Sequence, residues 1–416
     1  LGLLDKCGQY TRAREIMALG VYPYFHPIEA SEATEVVIGG RRLVMVGSNN
    51  YLGLTQHPKV KEAAIRAVEK YGSGCTGSRF LNGTLDLHVE LEDRLAKFMR
   101  REAALTMSTG FQVNLGVISA LVGKDDLVFC DRENHASIFD GCRLAFGRVR
   151  KYRHNDMDDL EQQLSQSPRS QGKLIVTDGV FSMRGDLCEL PRIVELAKEH
   201  GATVMVDDAH GIGVLGKHGR GTAEHFGLEA DVDLVMGTFS KSLASLGGFI
   251  SGREEVVHFI KHNARALIFS AAITPASAAS ALAALDILEK EPERRDRLWK
   301  NANRMKKGLS EMGYETARSD SVIVPAHVGE ALHTFRFWKG LFDAGVFTNP
   351  VIPPAVPEGE CLIRTSYMAT HTDAELEMVL GVFRRMRPEL DAIRSGGRDA
   401  RRTAARSRRR AGAPAE

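Results

Sequence analysis

The sequence predicts an α/β fold: a large, mostly parallel central sheet followed by a smaller α+β unit. Three observations predict it. From about 58 to 290, helical periodicity alternates with short runs rich in β-branched residues. Those runs are short and apolar, as buried strands are. Beyond about 291, strand-like and helix-like segments continue without that regular alternation.

The elements follow in order. Residues 7–19 read as a short helix, followed by an extended arm through Pro23 and Pro27, and 41–46 read as a strand. Helical stretches at 58–71, 86–99, 111–121, 189–200 and 274–289 carry apolar residues at three-to-four spacing. Between them, 127–130, 148–152, 174–178, 203–207 and 234–237 read as strands. A long polar helix at about 291–312 leads into the second unit. That unit has strands near 321–327 and 361–366 and helices near 329–344 and 373–387. From about 394 the chain is Arg, Ala, Ser and Gly without apolar periodicity, and disorder is expected there. The expected organisation is an amino-terminal helix and arm (1–57), a large α/β domain (58–290), a small α+β domain (291–393) and a basic tail (394–416).

Composition narrows the function classes. A chain of 416 residues with 43% hydrophobic and 26% charged residues is an ordinary soluble globular protein with a sizeable core. From Arg394 onward there are eight arginines against Asp399 and Glu416, a balance of +6. The body therefore carries −4 of the net +2 and is no basic nucleic-acid binder. The tail alone has the charge for weak contact with anionic lipid; a solvated end is the simpler expectation. Six scattered cysteines with no CxxC pair read as free thiols of a reducing, cytoplasmic compartment. The chain opens at Leu1, so a trimmed start is expected. Neither a signal peptide nor an apolar run of about 18 residues is visible.

Two glycine-rich segments imitate nucleotide motifs. Gly72–Gly77 matches GxGxxG, but a helix precedes it where a dinucleotide fold needs a strand. Gly211–Gly216 follows a strand, yet Gly219 and Gly221 come next instead of a helix. Read as a P-loop, it would put His218 where a hydroxyl is required. Both are expected to be turns.

Chemistry gathers at the ends of the apolar runs. Strand 203–207 ends in Asp207-Asp208-Ala209-His210, and 234–237 leads into Thr238-Phe239-Ser240-Lys241. Asn134-His135-Ala136-Ser137 follows 127–130, and Ser108-Thr109-Gly110-Phe111 opens a helix. In a parallel sheet these ends share one rim, where ligands bind. A buried lysine such as Lys241 can condense with an aldehyde when its pKa is lowered. Asp207 is placed to pair with a pyridine nitrogen. The N–H groups of Gly110 and Phe111, with the Thr238 and Ser240 hydroxyls, suit a phosphate. Singly, each has a bland reading: a strand-end aspartate is usually a cap, and a lone histidine is usually structural. The ordered set of His, Asp-x-x-His and Thr-x-Ser-Lys is far more specific.

That set resembles the α-oxoamine synthase family of fold-type I pyridoxal phosphate (PLP) enzymes. The matching pieces are Asn50–Leu54, Gly74–Arg79, Asn82–Thr84, His88, Ser108–Gly110, Asn134–Ser137, Gly179–Met183, Asp207-x-x-His210, Gly237–Lys241 and Arg364. The likeness spans about residues 20–388. Gly237–Ser242, Ala136–Cys142 and Tyr152–Asn155 resemble the bacterial branch that joins L-serine to palmitoyl-CoA in the first step of sphingolipid synthesis. Two positions depart from the pattern. Asp208 stands where many members have Glu, and Ile352 stands where some soluble members of that branch carry an arginine.

The resemblance implies PLP held by Lys241, with Asp207 on the ring nitrogen, His135 over the ring, and His210 and Ser182 at the ring oxygen. It implies Arg364, with Asn50 of a partner chain, as the carboxylate anchor. It also implies a homodimer with a shared site in which Ser270 reaches the partner's cofactor phosphate, and a loop at 72–84 that closes over acyl-CoA. Alternatives within the family are 8-amino-7-oxononanoate synthase and glycine C-acetyltransferase chemistry. Outside catalysis stands a partner subunit lacking the lysine, a reading that Lys241, Asp207 and His210 oppose.

Overall fold

The computed structural model describes residues 2–316 and 319–411. Its first sheet begins with β1 (Ala30–Glu32), β2 (Glu35–Ile38) and β3 (Arg41–Met45), an antiparallel meander. The central sheet is built from β4 (Ala103–Met107), β5 (Leu127–Asp131), β6 (Arg148–Tyr152), β7 (Lys173–Asp178), β8 (Thr203–Asp207), β9 (Leu234–Thr238) and β10 (Gly248–Gly252). Its order is β4-β10-β9-β8-β7-β5-β6. Strands β5 to β9 run parallel, and β10 runs antiparallel to β4 and β9.

The side-chain period of two builds a core on each face of this sheet. Phe129, Ile175, Val204, Val206 and Val235 enter one hydrophobic cluster. Their neighbours Val128, Cys130, Leu174, Val176, Met205 and Leu234 enter another. Strands buried on both faces are apolar at every position, which is why these runs were legible in the sequence. The chain moves outward from β5 to β6 and then crosses to β7 on the other side of β5. That reversal opens a crevice at the carboxyl ends of the strands.

The second unit follows the helix Glu293–Glu311. Strands β11 (Ile323–Gly329), β13 (Asn349–Val351) and β14 (Cys361–Ser366) form an antiparallel sheet around a separate apolar cluster. The two-residue strand β12 (Val346–Phe347) pairs in parallel with β3, so the arm, expected as a segment of its own, is stitched to this unit.

Two further expectations change. The helix expected over 7–19 is two short ones, Asp5–Gly8 and Arg12–Ala18, neither of which buries a residue. The last helix runs from Asp373 to Ala411, where the sequence led us to expect disorder from 394. Alanine and arginine are strong helix formers and need no apolar stripe to propagate a helix; residues 412–416 lie outside the described residues. Among the described residues no helix is long and apolar enough to cross a membrane. All six cysteines are unpaired.

Candidate active site

The crevice holds a cavity of about 260 Å³. Nine of the twelve residues singled out in the sequence line it: Gly110, Phe111, His135, Ser182, Asp207, His210, Thr238, Ser240 and Lys241. Three do not line it: Asn50, Ser270 and Arg364.

Lys241 follows the end of β9 and makes no hydrogen bond or ion pair among the described residues. Burial and the Arg364 cation lower its pKa to about 8, against the opposing pull of Asp207 and Asp178. An amine this poorly solvated is reactive near neutral pH.

Asp207 ends β8 and is buried. Its Oδ2 accepts from Asn114 Nδ2 at 2.7 Å, and its Oδ1 accepts from the Ala209 N–H at 3.1 Å. Asn114 is fully buried in the helix Gly110–Leu121 and also donates to Ser137 Oγ at 2.8 Å. In register beside Asp207 lies Asp178, the end of β7. Burial and the Asp207 charge raise its pKa, and its Oδ2 accepts the His135 N–H at 2.9 Å.

His135 caps the helix Ala136–Leu144, its Nδ1 lying 2.7 Å from Ser137 Oγ. Phe111 meets its ring edge-on at 6.2 Å. His210 is buried, and its Nδ1 lies 2.6 Å from the Tyr51 hydroxyl. Burial first, then the Lys241 and Arg364 cations, hold His210 well below the usual histidine range, so its ring is neutral at pH 7.

The phosphate-type end is the start of the helix Gly110–Leu121. Thr109 caps the Gln112 N–H, leaving the Gly110 and Phe111 N–H groups at the open end. A Cβ at Gly110 would lie 2.9 Å from Thr238 Oγ1, so only glycine lets the strand end press this close. Thr238 Oγ1 sits 2.9 Å from Ser240 Oγ.

Arg364 lies on β14, 4% exposed, behind this cavity. Its Nε donates to Ser182 O at 2.6 Å and its Nη2 to Asn49 Oδ1 at 3.0 Å, with Tyr51 Oη at 3.4 Å. It pairs with no carboxylate among the described residues. A buried cation without a counter-charge is expensive and fits a site whose anion arrives with the substrate. Asn50 spends its side chain within its own loop, on Thr55 and the Leu54 N–H. The asparagine that touches Arg364 is Asn49. Ser270 Oγ lies 3.0 Å from Gln112 Nε2 of its own chain, beside the helix start.

The decoy loops resolve as internal packing. The His218 and Arg220 N–H groups donate to Glu224, and Thr222 donates to Asp208, so protein carboxylates take the donors a nucleotide phosphate would need. In the other loop, Arg79 is forked onto Glu92 at 2.7 and 2.9 Å and bonds Thr106.

Sequence reasoning passed over Asp178, Asn114, Tyr51 and Asn49. Asp178 carried the same signal as Asp207, an aspartate closing an apolar run. Asn114 was also findable: an asparagine inside an apolar helix must have a partner.

The sequence matches the model of the family described as aminotransferase class I and II over residues 41–383. The chain belongs to that family. It is 53% identical over 92% of its length to a serine palmitoyltransferase of Sphingobacterium spiritivorum, covering 97% of that protein. It is 45% identical over 91% of its length to an 8-amino-7-oxononanoate synthase of Geobacter sulfurreducens, covering 98% of that one. A serine palmitoyltransferase from S. paucimobilis, solved with a bound PLP–myriocin aldimine, superposes with TM-score 0.92 at 38% identity. The superposition covers 94% of this chain and all of that one. The fold is that of the fold-type I PLP transferases, and the relatives are α-oxoamine synthases, as the motifs led us to expect. The residues fit PLP: an unpartnered lysine for its aldehyde, a buried aspartate for its ring nitrogen, and an open helix start with two hydroxyls for its phosphate.

Proposed function

We propose that this protein joins L-serine to a long-chain acyl-CoA, palmitoyl-CoA being the expected donor, releasing CoA and CO2 and forming 3-oxosphinganine. The observation that carries this reading is Arg364, a buried cation that meets no carboxylate among the described residues, placed beside the lysine cavity. Among the relatives, identity to the serine palmitoyltransferase exceeds that to the 8-amino-7-oxononanoate synthase, which favours serine.

When bound, PLP supplies an aldehyde for the amine and an electron sink for charge left at the amino acid's α-carbon. Asp207 would hold its ring nitrogen, His135 would lie over the ring, and His210 and Ser182 would bond the ring oxygen. Gly110, Phe111, Thr238 and Ser240 would hold the phosphate. Asn114 keeps Asp207 oriented, and Tyr51 does the same for neutral His210. Arg364 takes the substrate carboxylate through charge-assisted hydrogen bonds. The Lys241 amine removes the α-proton as general base. The α-carbon then bonds to the thioester carbon and the CoA thiolate leaves; the carboxylate held by Arg364 departs as CO2, its bonding pair stays with the α-carbon, and that carbon takes a proton back from the Lys241 ammonium.

The same reading takes 58–290 as the cofactor-holding domain, between the arm (1–57) and the small domain (291–393); most of one apolar cluster lies in 58–290 and most of another in 291–393, with Tyr51, Leu52 and Leu54 of the arm packed into the first and Val44 and Val46 into the second. It includes a cytoplasmic homodimer with a shared site. Phe111 and Leu246 line the cavity yet stay exposed, and Phe80, Leu81 and Phe269 are exposed nearby, an apolar rim that a second copy would cover. In that dimer Asn50 and Ser270 take the cross-subunit roles given above. Weak contact of the basic tail with anionic lipid is supported by its charge alone.

Mass spectrometry of products from serine, alanine and glycine against a ladder of acyl-CoA lengths tests the reaction. 3-Oxosphinganine from serine and palmitoyl-CoA is expected; a product from glycine or alanine alone would replace serine in the scheme.

A further inference from the structure

We propose that His154 is a positioning residue: clamped between Asp131 and Asp186, it fixes the hairpin whose Ser182 carbonyl aims Arg364 at the substrate carboxylate. This rests on Arg364 as the carboxylate anchor.

The hairpin hangs from the carboxyl end of β7. Val180 bridges Leu187, the Phe181 N–H donates to Asp186 O at 2.9 Å, and the Gly185 N–H donates to Phe181 O at 2.8 Å. Ser182 sits at its tip, lines the cavity, and gives its carbonyl to Arg364 Nε. On one side the tip is tied to the small unit, where Gly185 O accepts the Asp320 N–H at 3.2 Å and the Ser319 hydroxyl at 3.4 Å.

His154, just beyond β6, supplies a second fixture. Its Nδ1 lies 3.0 Å from Asp131 Oδ1 and its Nε2 lies 2.7 Å from Asp186 Oδ2. Its ring meets Phe181 edge-on at 4.4 Å. Both nitrogens face carboxylates, and only an imidazolium donates from both. Burial pushes the pKa of His154 down, but the hydrogen bonds to Asp131 and Asp186 and the nearby Glu133 outweigh it and raise it to about 10.

The anchor for the clamp is rigid. Asp131 is fully buried at the end of β5, and its two oxygens also accept the Glu133 and Asn155 N–H groups at 2.8 Å. Asn155 Nδ2 holds Leu187 O, the far leg of the hairpin, at 2.9 Å. Glu133 lies 3.9 Å from His154 Nε2 and 3.3 Å from Arg184. Arg184 in turn reaches Glu360 at 2.7 Å, next to the strand that carries Arg364. One charge network thus grips both the hairpin and the neighbourhood of β14.

Two measurements test it. In the full chain without cofactor, the His154 ring nitrogens should report a protonated imidazole at pH 8 by NMR; titration near the ordinary histidine value of about 6.5 would overturn the clamp. In the cofactor-bound enzyme, His154→Gln should raise the half-saturating serine concentration about tenfold. Turnover at saturation and cofactor affinity should stay within about twofold. Unchanged serine saturation in a folded variant would overturn the proposal. Should His154→Gln not fold, Asp186→Asn removes only the hairpin-side partner, and the same shift is read. Should the wild type bind alanine or glycine but not serine, the functional reading fails, and the shift measured with that amino acid still decides the clamp.

Discussion

Arg364→Met removes a buried cation that meets no carboxylate among the described residues, and the structure sets opposite effects on binding and on folding. A forked arginine–carboxylate pair comprises two charge-assisted hydrogen bonds, each about 1.5–3 kcal/mol. Losing both costs about 3–6 kcal/mol of serine affinity, roughly 10²- to 10⁴-fold. Folding stability should change far less. The variant loses donors to Ser182 O, Asn49 Oδ1 and Tyr51 Oη, but it also escapes the several kcal/mol spent on burying an uncompensated charge. A third effect is electrostatic. The Arg364 cation helps depress Lys241, so its removal should raise the Lys241 pKa above about 8. Serine titration followed by cofactor absorbance, thermal unfolding, and the pH profile of Lys241 labelling by an amine-reactive reagent read the three effects. A serine affinity reduced less than about fivefold, or a labelling profile that does not move to higher pH, would refute the assignment.

Lys241→Ala should abolish the borohydride-reducible link between cofactor and protein and all turnover while leaving far-ultraviolet circular dichroism unchanged; residual turnover removes Lys241 from the scheme. Glu92→Ala breaks the buried fork with Arg79 and leaves a cation stranded, costing about 3–5 kcal/mol; an unchanged urea midpoint would contradict this. Asp208 is buried, and burial raises its pKa from 3.8 to about 7 against the Thr222 hydrogen bonds. The folded state therefore holds a proton that the unfolded state has lost between those values, and the group's contribution to stability falls as pH rises from 3.8 towards 7. Asp208→Asn should flatten that part of the stability profile relative to wild type; parallel profiles would count against a protonated Asp208.

The fold was legible where burial leaves a one-dimensional trace. Strands β5, β7, β8 and β9 are covered on both faces, so their sequences read as unbroken apolar runs closing in Asp131, Asp178, Asp207 and Thr238. Strand β10 was missed because glycines at both ends read as breakers. They are there for packing, since a Cβ on Gly248 would lie 2.7 Å from Gly110 Cα. Ala103–Met107 was missed because alanine, leucine and methionine favour helices in isolation, and its pairing with β10 overrides that preference. In the site, the sequence singled out residues whose motif implied a role. Contacts made across the fold were not visible: Asn114 meets Asp207 across 93 positions, and Tyr51, though inside the Asn50–Leu54 motif, meets His210 across 159. No local pattern encodes such a pair. Asn49 was missed for the same reason: it meets Arg364 across 315 positions.

The most direct test of the central claim is a carbon balance with carboxyl-labelled L-serine and palmitoyl-CoA on the purified, PLP-bound protein. The account predicts labelled CO2, free CoA thiol and an unlabelled 3-oxo amine in equal amounts. Label retained in the acylated product, or CoA released without CO2, would contradict it.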